Sequence, residues 1–275
     1  MAARNTRLAV TFAVVVVLAL AAFWGISRIW DAAKDHFTAT ECTIGEYTID
    51  TEQAAVAAQM LGAVAKFRPK LPAKTGVLVL MAGLQESKLR NIPAGEGDRD
   101  SVGVLQQRPS QGWGGGDAAK LSDVTEATRE FLAALITHPN WRTQELADAI
   151  QDVQISIDGS LYAQHEDEAR ALARALQGRV AAGISCTYDK PTVVAPTSKV
   201  VTQLRHQLPV NAPTRTTRTV TVPGAGWQTA AWFVANADRL GVDSVAYAGK
   251  RFTRADGWQD APPRTGGVVA TMATV

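Results

Sequence analysis

From Thr75 to Gln85 the chain reads TGVLVLMAGLQ, an uncharged stretch with helical periodicity and apolar or small residues on every side. A helix of this kind has no solvent face, so it has to be the centre of a core that other helices surround. Val77, Leu80, Met81 and Leu84 share one face at i, i+3, i+4 and i+7, while Ala82 and Gly83 on the face around Glu86 are small enough to leave space for a bulky substrate. Glu86 is the first charge after the run. Desolvation disfavours a carboxylate, so a Glu in such surroundings keeps its proton near neutral pH and is equipped to act as a general acid. The helix alone does not separate this reading from a helix-end Glu that caps or pairs at the surface.

The residues that follow carry more information. Gln85-Glu86-Ser87 is succeeded, after the acidic Gly-rich stretch Ala94-Gly95-Glu96-Gly97-Asp98-Arg99-Asp100, by Ser101-Val102-Gly103-Val104-Leu105-Gln106-Gln107-Arg108-Pro109. This order resembles the soluble lytic transglycosylases, which share the goose-type lysozyme fold. In that family a Glu-Ser pair ends a buried helix, and a Gly-Leu-Met-Gln segment one short loop later lines the sugar cleft. Gly103-Val104-Leu105-Gln106 stands at that place, with Leu105 where the family usually has Met. The resemblance spans residues 54–182 and implies cleavage of peptidoglycan glycan strands with Glu86 as the catalytic acid. It further implies that Glu86 first protonates the leaving oxygen and then, as carboxylate, accepts the C6 hydroxyl proton, closing a 1,6-anhydromuramic ring. No metal or cofactor is called for.

Around the acid, Gln106 and Gln107 offer amide groups suited to N-acetyl and hydroxyl partners, and Ser101 opens the same segment. Tyr162 resembles the family's aromatic hydroxyl near the acid, with a buried core role as its alternative, and Gln154 is a weaker substrate-binding candidate. Ser87 is expected to hold the helix to the cleft backbone. The acidic loop reads as a solvated turn. Its alternatives are a calcium site, which lacks the ligand pattern and distal Glu of an EF-hand, or a second catalytic carboxylate, Asp98 or Asp100, for an inverting hydrolase. His138 and His165 read as exposed helix residues without metal-binding spacing.

The chain departs from the family at Val104-Leu105, in the charged insertion before them, and at Ile157-Asp158-Gly159-Ser160-Leu161-Tyr162, where an Ala-Tyr-Asn-Ala-Gly stretch is common. These departures keep open a second reading: an inactive lysozyme-like domain that binds glycan or scaffolds a cell-envelope complex.

Compartment follows from the N-terminus and the cysteines. Residues 8–26 carry no charge and are long enough as a helix to cross a bilayer; Arg4 and Arg7 before them place the N-terminus inside and the remainder outside the cell. A cleaved signal peptide, with Ala19-Leu20-Ala21 as the cleavage signal, is the rival, and the uncleaved anchor is favoured because the apolar run continues through Phe23, Trp24 and Ile26. Cys42 and Cys186 are the only cysteines, and an even count in an exported chain suggests a disulfide. A formal charge of +2 without a basic, aromatic-interleaved patch does not imply nucleic acid.

The expected architecture is mainly α. It comprises a cytoplasmic tip and membrane anchor (1–30), a lysozyme-like helical domain (42–188), a Pro/Thr-rich linker (189–217) and a small α+β module (218–275) open to cell-envelope partners. Helices are expected over residues 52–67, around the apolar run, from Ser122-Asp123 to Ile136, after Thr143, and over 161–182. Strands are expected at 218–222, 244–248 and 268–274 around a loop at Gly257-Trp258. The tryptophans Trp227, Trp232 and Trp258 read as core of this small module ahead of sugar-stacking platforms.

Overall fold

A computed structural model describes residues 40–155, 158–263 and 266–274. The expected membrane segment, 8–26, lies outside the described residues. Among the described residues no helix is long and apolar enough to cross a membrane.

The described chain opens on a hairpin, β1 (Glu41–Ile44) and β2 (Tyr47–Asp50), turned at Gly45, whose φ of +61° a side chain rarely adopts. In β1 the burial alternates, so Cys42 and Ile44 face inward. A third strand, β3 (Ser185–Thr187), pairs antiparallel with β1 and sets Cys186 opposite Cys42, giving the order β2-β1-β3. The two sulfurs form a disulfide of 2.06 Å.

Among the described residues, seven α-helices lie between β2 and β3: α1 (Thr51–Lys66), α2 (Lys74–Ser87), α3 (Ala118–Leu121), α4 (Val124–Leu135), α5 (Leu146–Gln154), α6 (Ser160–Ala163) and α7 (Glu166–Leu176). Asp50 and Gln53 start α1 with a reciprocal capping box, each side chain accepting the other's backbone N–H at 2.9 Å. Asp123 caps α4 by accepting from the N–H groups of Thr125 and Glu126. As its apolar sequence requires, α2 is buried from Thr75 through Leu84, packed among α1, α5, α6 and α7.

The C-terminal part holds α8 (Thr197–Gln207), β4 (Thr214–Arg215), β5 (Thr219–Val222), α9 (Trp227–Ala235), α10 (Ala237–Leu240), β6 (Val242–Tyr247), β7 (Lys250–Thr253), β8 (Gly257–Asp260) and β9 (Val268–Met272). Its strands form one antiparallel sheet in the order β4-β5-β9-β6-β7-β8. Buried on nearly every side, α9 packs on β6 and β9 and against α1 and α7.

The expectation of a mainly α chain is overturned: the fold is mixed α/β, 44% helical and 17% strand, with two antiparallel sheets. The short strands β1, β2 and β3 bracket the region read as helical. Each is only three or four residues long, too short for a period-two pattern to stand out from its flanks. In the C-terminal part β4, β7 and β8 add to the three expected strands, and the supposed loop at Gly257-Trp258 is β8 itself.

The stretch 189–217 is not an extended tether, because α8 occupies its middle and buries Thr197, Val200, Val201, Leu204 and Gln207. Pro196 sits just before this helix and Pro209 just after it; both are compatible with helix ends, and together with Pro191 and Pro213 they mask the i, i+3, i+4, i+7 spacing between them. Residues 40–275 form one compact unit. Three polar contacts fasten its two parts. Gln207 Nε2 donates to Gln59 Oε1 at 3.1 Å, the Tyr188 hydroxyl to Val234 O at 2.6 Å, and Trp258 Nε1 to Ile184 O at 2.7 Å. The long helix expected over 161–182 is divided into α6 and α7 and stops at Leu176, leaving Val180 exposed.

Candidate active site around Glu86

Glu86 lies in the last turn of α2. That helix ends in two left-handed residues, Lys88 (φ 55°) and Leu89 (φ 58°), with Leu89 N donating back to Gly83 O at 2.9 Å. The reversal folds Leu89, fully buried, onto the face that Gly83 leaves open. A Cβ added at Gly83 would stand 2.9 Å from a Leu89 methyl and 3.1 Å from the Met60 terminal carbon. The small residues beside Glu86 therefore admit Leu89 and Met60, and the space expected there for substrate is filled by the protein's own core.

The Glu86 carboxyl is half-buried. Its Oε1 accepts a 2.7 Å hydrogen bond from the hydroxyl of Tyr162, itself 1% exposed on α6. Burial pushes the Glu86 carboxyl above the usual carboxylate range, and hydrogen bonds from Tyr162 and the Gln154 amide counteract part of that rise. Cations are not among the groups that shift it. The result is a carboxyl that reaches solvent and retains its proton more firmly than a free Glu.

The strap from Val102 to Gln107 runs beside this acid as a tight loop closed by the bridge Val102↔Gln107 and tied to the chain after α2 by Ile92↔Gly103. Gly103, at φ +76°, is required there: a Cβ would lie 2.4 Å from Leu121 O. Val104 and Leu105 are fully buried and anchor the strap without lining a groove. Two side chains bind the strap's backbone to the acid's surroundings. The Ser87 hydroxyl reaches Val104 O at 2.8 Å, and Gln154 Nε2 donates to Leu105 O at 2.9 Å.

The sequence-derived candidates separate clearly in space. Tyr162 and Gln154 meet Glu86. Gln106 is half-buried with φ 45°, its amide turned onto Gly103 O at 2.8 Å and its Oε1 facing Gly97. Gln107, expected to contact substrate, is 2% exposed and points inward, donating to Ala127 O at 3.3 Å. Ser101 is likewise buried, its N–H on Asp98 O. An apolar strap has to bury some residues to hold its shape, and in this one Gln107 and Ser101 fill that role.

The acidic loop also resolves. Asp100 accepts from Ser110 N and from Arg108 Nε, both at 2.8 Å; hydrogen bonding from the Ser110 side chain and backbone, and then from Arg108, holds its carboxyl far below the usual range. A carboxylate so engaged is a poor base. Asp98 is 90% exposed at its side chain and pairs loosely with Arg99. Among the described residues no three His, Cys, Asp or Glu side chains gather as a metal site.

Sequence reasoning missed Gln85 and His165. Gln85 Oε1 meets His165 Nε2 at 3.1 Å and accepts from Gln164 Nε2 at 3.2 Å, so the turn between α6 and α7 is held to the residue preceding the acid. His165 is half-buried, not exposed as expected, and burial lowers its pKa. The legible signal was its position three residues after Tyr162, one helical turn from a residue already assigned to the site.

Compared with known proteins, the chain matches no family model and no curated sequence.

Proposed function

We propose that this protein cleaves the glycan strands of peptidoglycan by a single-carboxylate, lytic-transglycosylase-type reaction, with Glu86 as the group that moves the proton. The observation that carries the reading is the Glu86 carboxyl: half-buried, raised in pKa, paired with no cation among the described residues and bonded at 2.7 Å to a buried tyrosine hydroxyl beside the Gly103-Gln106 strap. Protonated Glu86 gives its proton to the glycosidic oxygen as the bond to C1 breaks. As carboxylate it then takes the proton of the C6 hydroxyl, whose oxygen closes on C1, so the acid regains its starting state and no water is consumed. Tyr162 and Gln154 hold the carboxylate during its ionised interval.

The resemblance in the Glu86-Ser87 and Gly103-x-x-Gln106 segments supports the substrate class, and the Cys42–Cys186 disulfide supports exposure outside the cytoplasm. With residues 8–26 as anchor, the unit would work on the wall next to the membrane. The second reading is an inactive lysozyme-like domain that binds glycan or scaffolds a cell-envelope complex; the burial of Gln107 and Ser101, which removes two expected sugar contacts, supports its scaffolding form.

The test is digestion of purified peptidoglycan followed by mass analysis. Anhydro-muropeptides from wild type and none from Glu86→Gln are expected. Products with free reducing ends would replace this mechanism by hydrolysis, and retention on the glycan with no product at all would favour the second reading.

A further inference from the structure

On a face that the Glu86 chemistry does not use, two hollows of about 480 and 330 Å³ share Ala73, Gln177 and Arg179 and so form one groove along the start of α2 and the end of α7. Among the described residues five cations line it, Lys70, Lys74, Arg170, Arg174 and Arg179, and no carboxylate does. The chain as a whole is nearly balanced, 28 basic against 26 acidic residues, so this is a local segregation of charge and not a sample of the average surface.

Internal pairing accounts for only part of it. Arg170 bonds Glu166 one turn back, and Lys74 reaches Gln144 O at 3.3 Å. Arg174, in the last turn of α7, also offsets that helix's dipole. Lys70, Arg174 and Arg179 are solvent-exposed, and nothing lining the groove offsets their charge. Between them lies the N-terminus of the 14-residue α2, whose N-cap position is Ala73 and which no side chain caps. The Thr75 and Gly76 N–H groups there already donate to Pro72 O and Ala73 O, so what this end adds to the groove is the positive partial charge of the helix.

We infer that this groove binds a linear polymer carrying phosphate groups along its backbone, with Lys70, Lys74, Arg174 and Arg179 as the cations that hold it. Three features favour this occupant. The charges sit in an elongated concavity, which suits a chain more than a flat bilayer surface. Arginine forks match phosphate oxygens in pairs. The positive end of the α2 dipole adds to the same field. The inference does not depend on what Glu86 does.

The probe is fluorescently labelled long-chain inorganic polyphosphate, titrated by anisotropy against the full chain in neutral detergent at several salt concentrations. The double variant Arg174→Gln/Arg179→Gln is expected to weaken binding roughly 30-fold at low salt and to reduce the slope of log K against log salt by about 2, because two phosphate contacts are lost. Arg174→Glu/Arg179→Glu should weaken it further, and circular dichroism identifies any variant that has failed to fold. Lys199→Gln/Arg215→Gln, two exposed cations elsewhere, should leave both quantities unchanged. Equal losses from the control pair would overturn the groove as the site. Polyglutamate binding as tightly as polyphosphate would overturn the assignment to phosphate. If the groove variants altered only association with phosphatidylglycerol bicelles and not with polyphosphate, the partner would be a membrane surface and the inference would fail.

Discussion

Replacing Ser87 with alanine tests whether the strap beside Glu86 is held by one hydroxyl. Ser87 is 8% exposed; its Oγ lies 2.8 Å from Val104 O and 3.2 Å from Gly83 O, and it accepts from Arg90 N at 3.1 Å. The hydroxyl has one proton, and the shorter contact indicates that it goes to Val104 O. Because Gly83 O also accepts from Leu89 N, the loss falls on Val104 O, in a fully buried residue, and on Arg90 N, whose residue is exposed and open to water. One buried acceptor left without its donor costs about 1–3 kcal/mol, and the better helix propensity of alanine returns only a few tenths. A net destabilisation of about 2 kcal/mol is expected, read as a fall in urea midpoint at unchanged m-value. Between its bridge to Ile92 and the inward bond of Gln107, the strap would then keep only the Gln154 bond at Leu105 O, and displacement of its backbone there by about 1 Å would lower the proposed glycan cleavage on the order of 100-fold. A variant with wild-type midpoint and wild-type turnover would refute the reasoning and show that the Ser87–Val104 bond carries neither stability nor geometry.

Other outcomes follow from the same coordinates. Tyr162→Phe removes the donor that lowers the Glu86 pKa while conserving ring volume, so that pKa rises further. In the proposed reaction the protonated acid is the working form, so the alkaline limb of the pH–rate profile should move to higher pH; a profile that only loses height would mean that Tyr162 merely packs. Cys42→Ser/Cys186→Ser opens a loop with a sequence separation of 144 residues and should cost about 5 kcal/mol in the chain-entropy model, measured by denaturation against the oxidised wild type. A loss under about 1 kcal/mol would indicate that the paired strands β1 and β3 already confine the unfolded ends. Gly83→Ala drives a methyl against Leu89 and Met60 and should destabilise by about 1–3 kcal/mol, whereas a substrate-facing Gly83 would show normal stability and a raised KM.

How much was legible depends on how locally each feature is encoded. The central helix could be read because eleven consecutive uncharged residues before Glu86 leave no other burial pattern, and the N-cap at Asp123 acts through bonds that span three residues or fewer. Strands β1 and β3 could not, since a strand of three or four residues gains its identity from a partner 144 positions away. Direction was the harder question at the site. Gln106 and Gln107 are neighbours of the same type, yet the turn that puts Gln106 at φ 45° leaves one beside the loop surface and sends the other into the core against α4. Only the three-dimensional path of the strap distinguishes them.

The same logic explains why the C-terminal part is not a separate module. A helix such as α9, WQTAAWFVA, is apolar nearly all round, as is α2, and one sheet can cover only one of its faces. Its other face requires a second layer, which α1 and α7 supply, and Gln207 on α8 satisfies the indole N–H of Trp232 that this packing buries. Truncation after Tyr188 would therefore expose the faces of α1 and α7 that α9 covers. At about 25 cal/mol per Å² of apolar surface, even 200 Å² so exposed is worth roughly 5 kcal/mol, comparable with the whole stability of a domain. Residues 40–188 are accordingly expected to be insoluble or molten when expressed alone. If that fragment proved folded and cooperative on heating, the packing of α9 between the two layers would be dispensable and the single-unit account would fall.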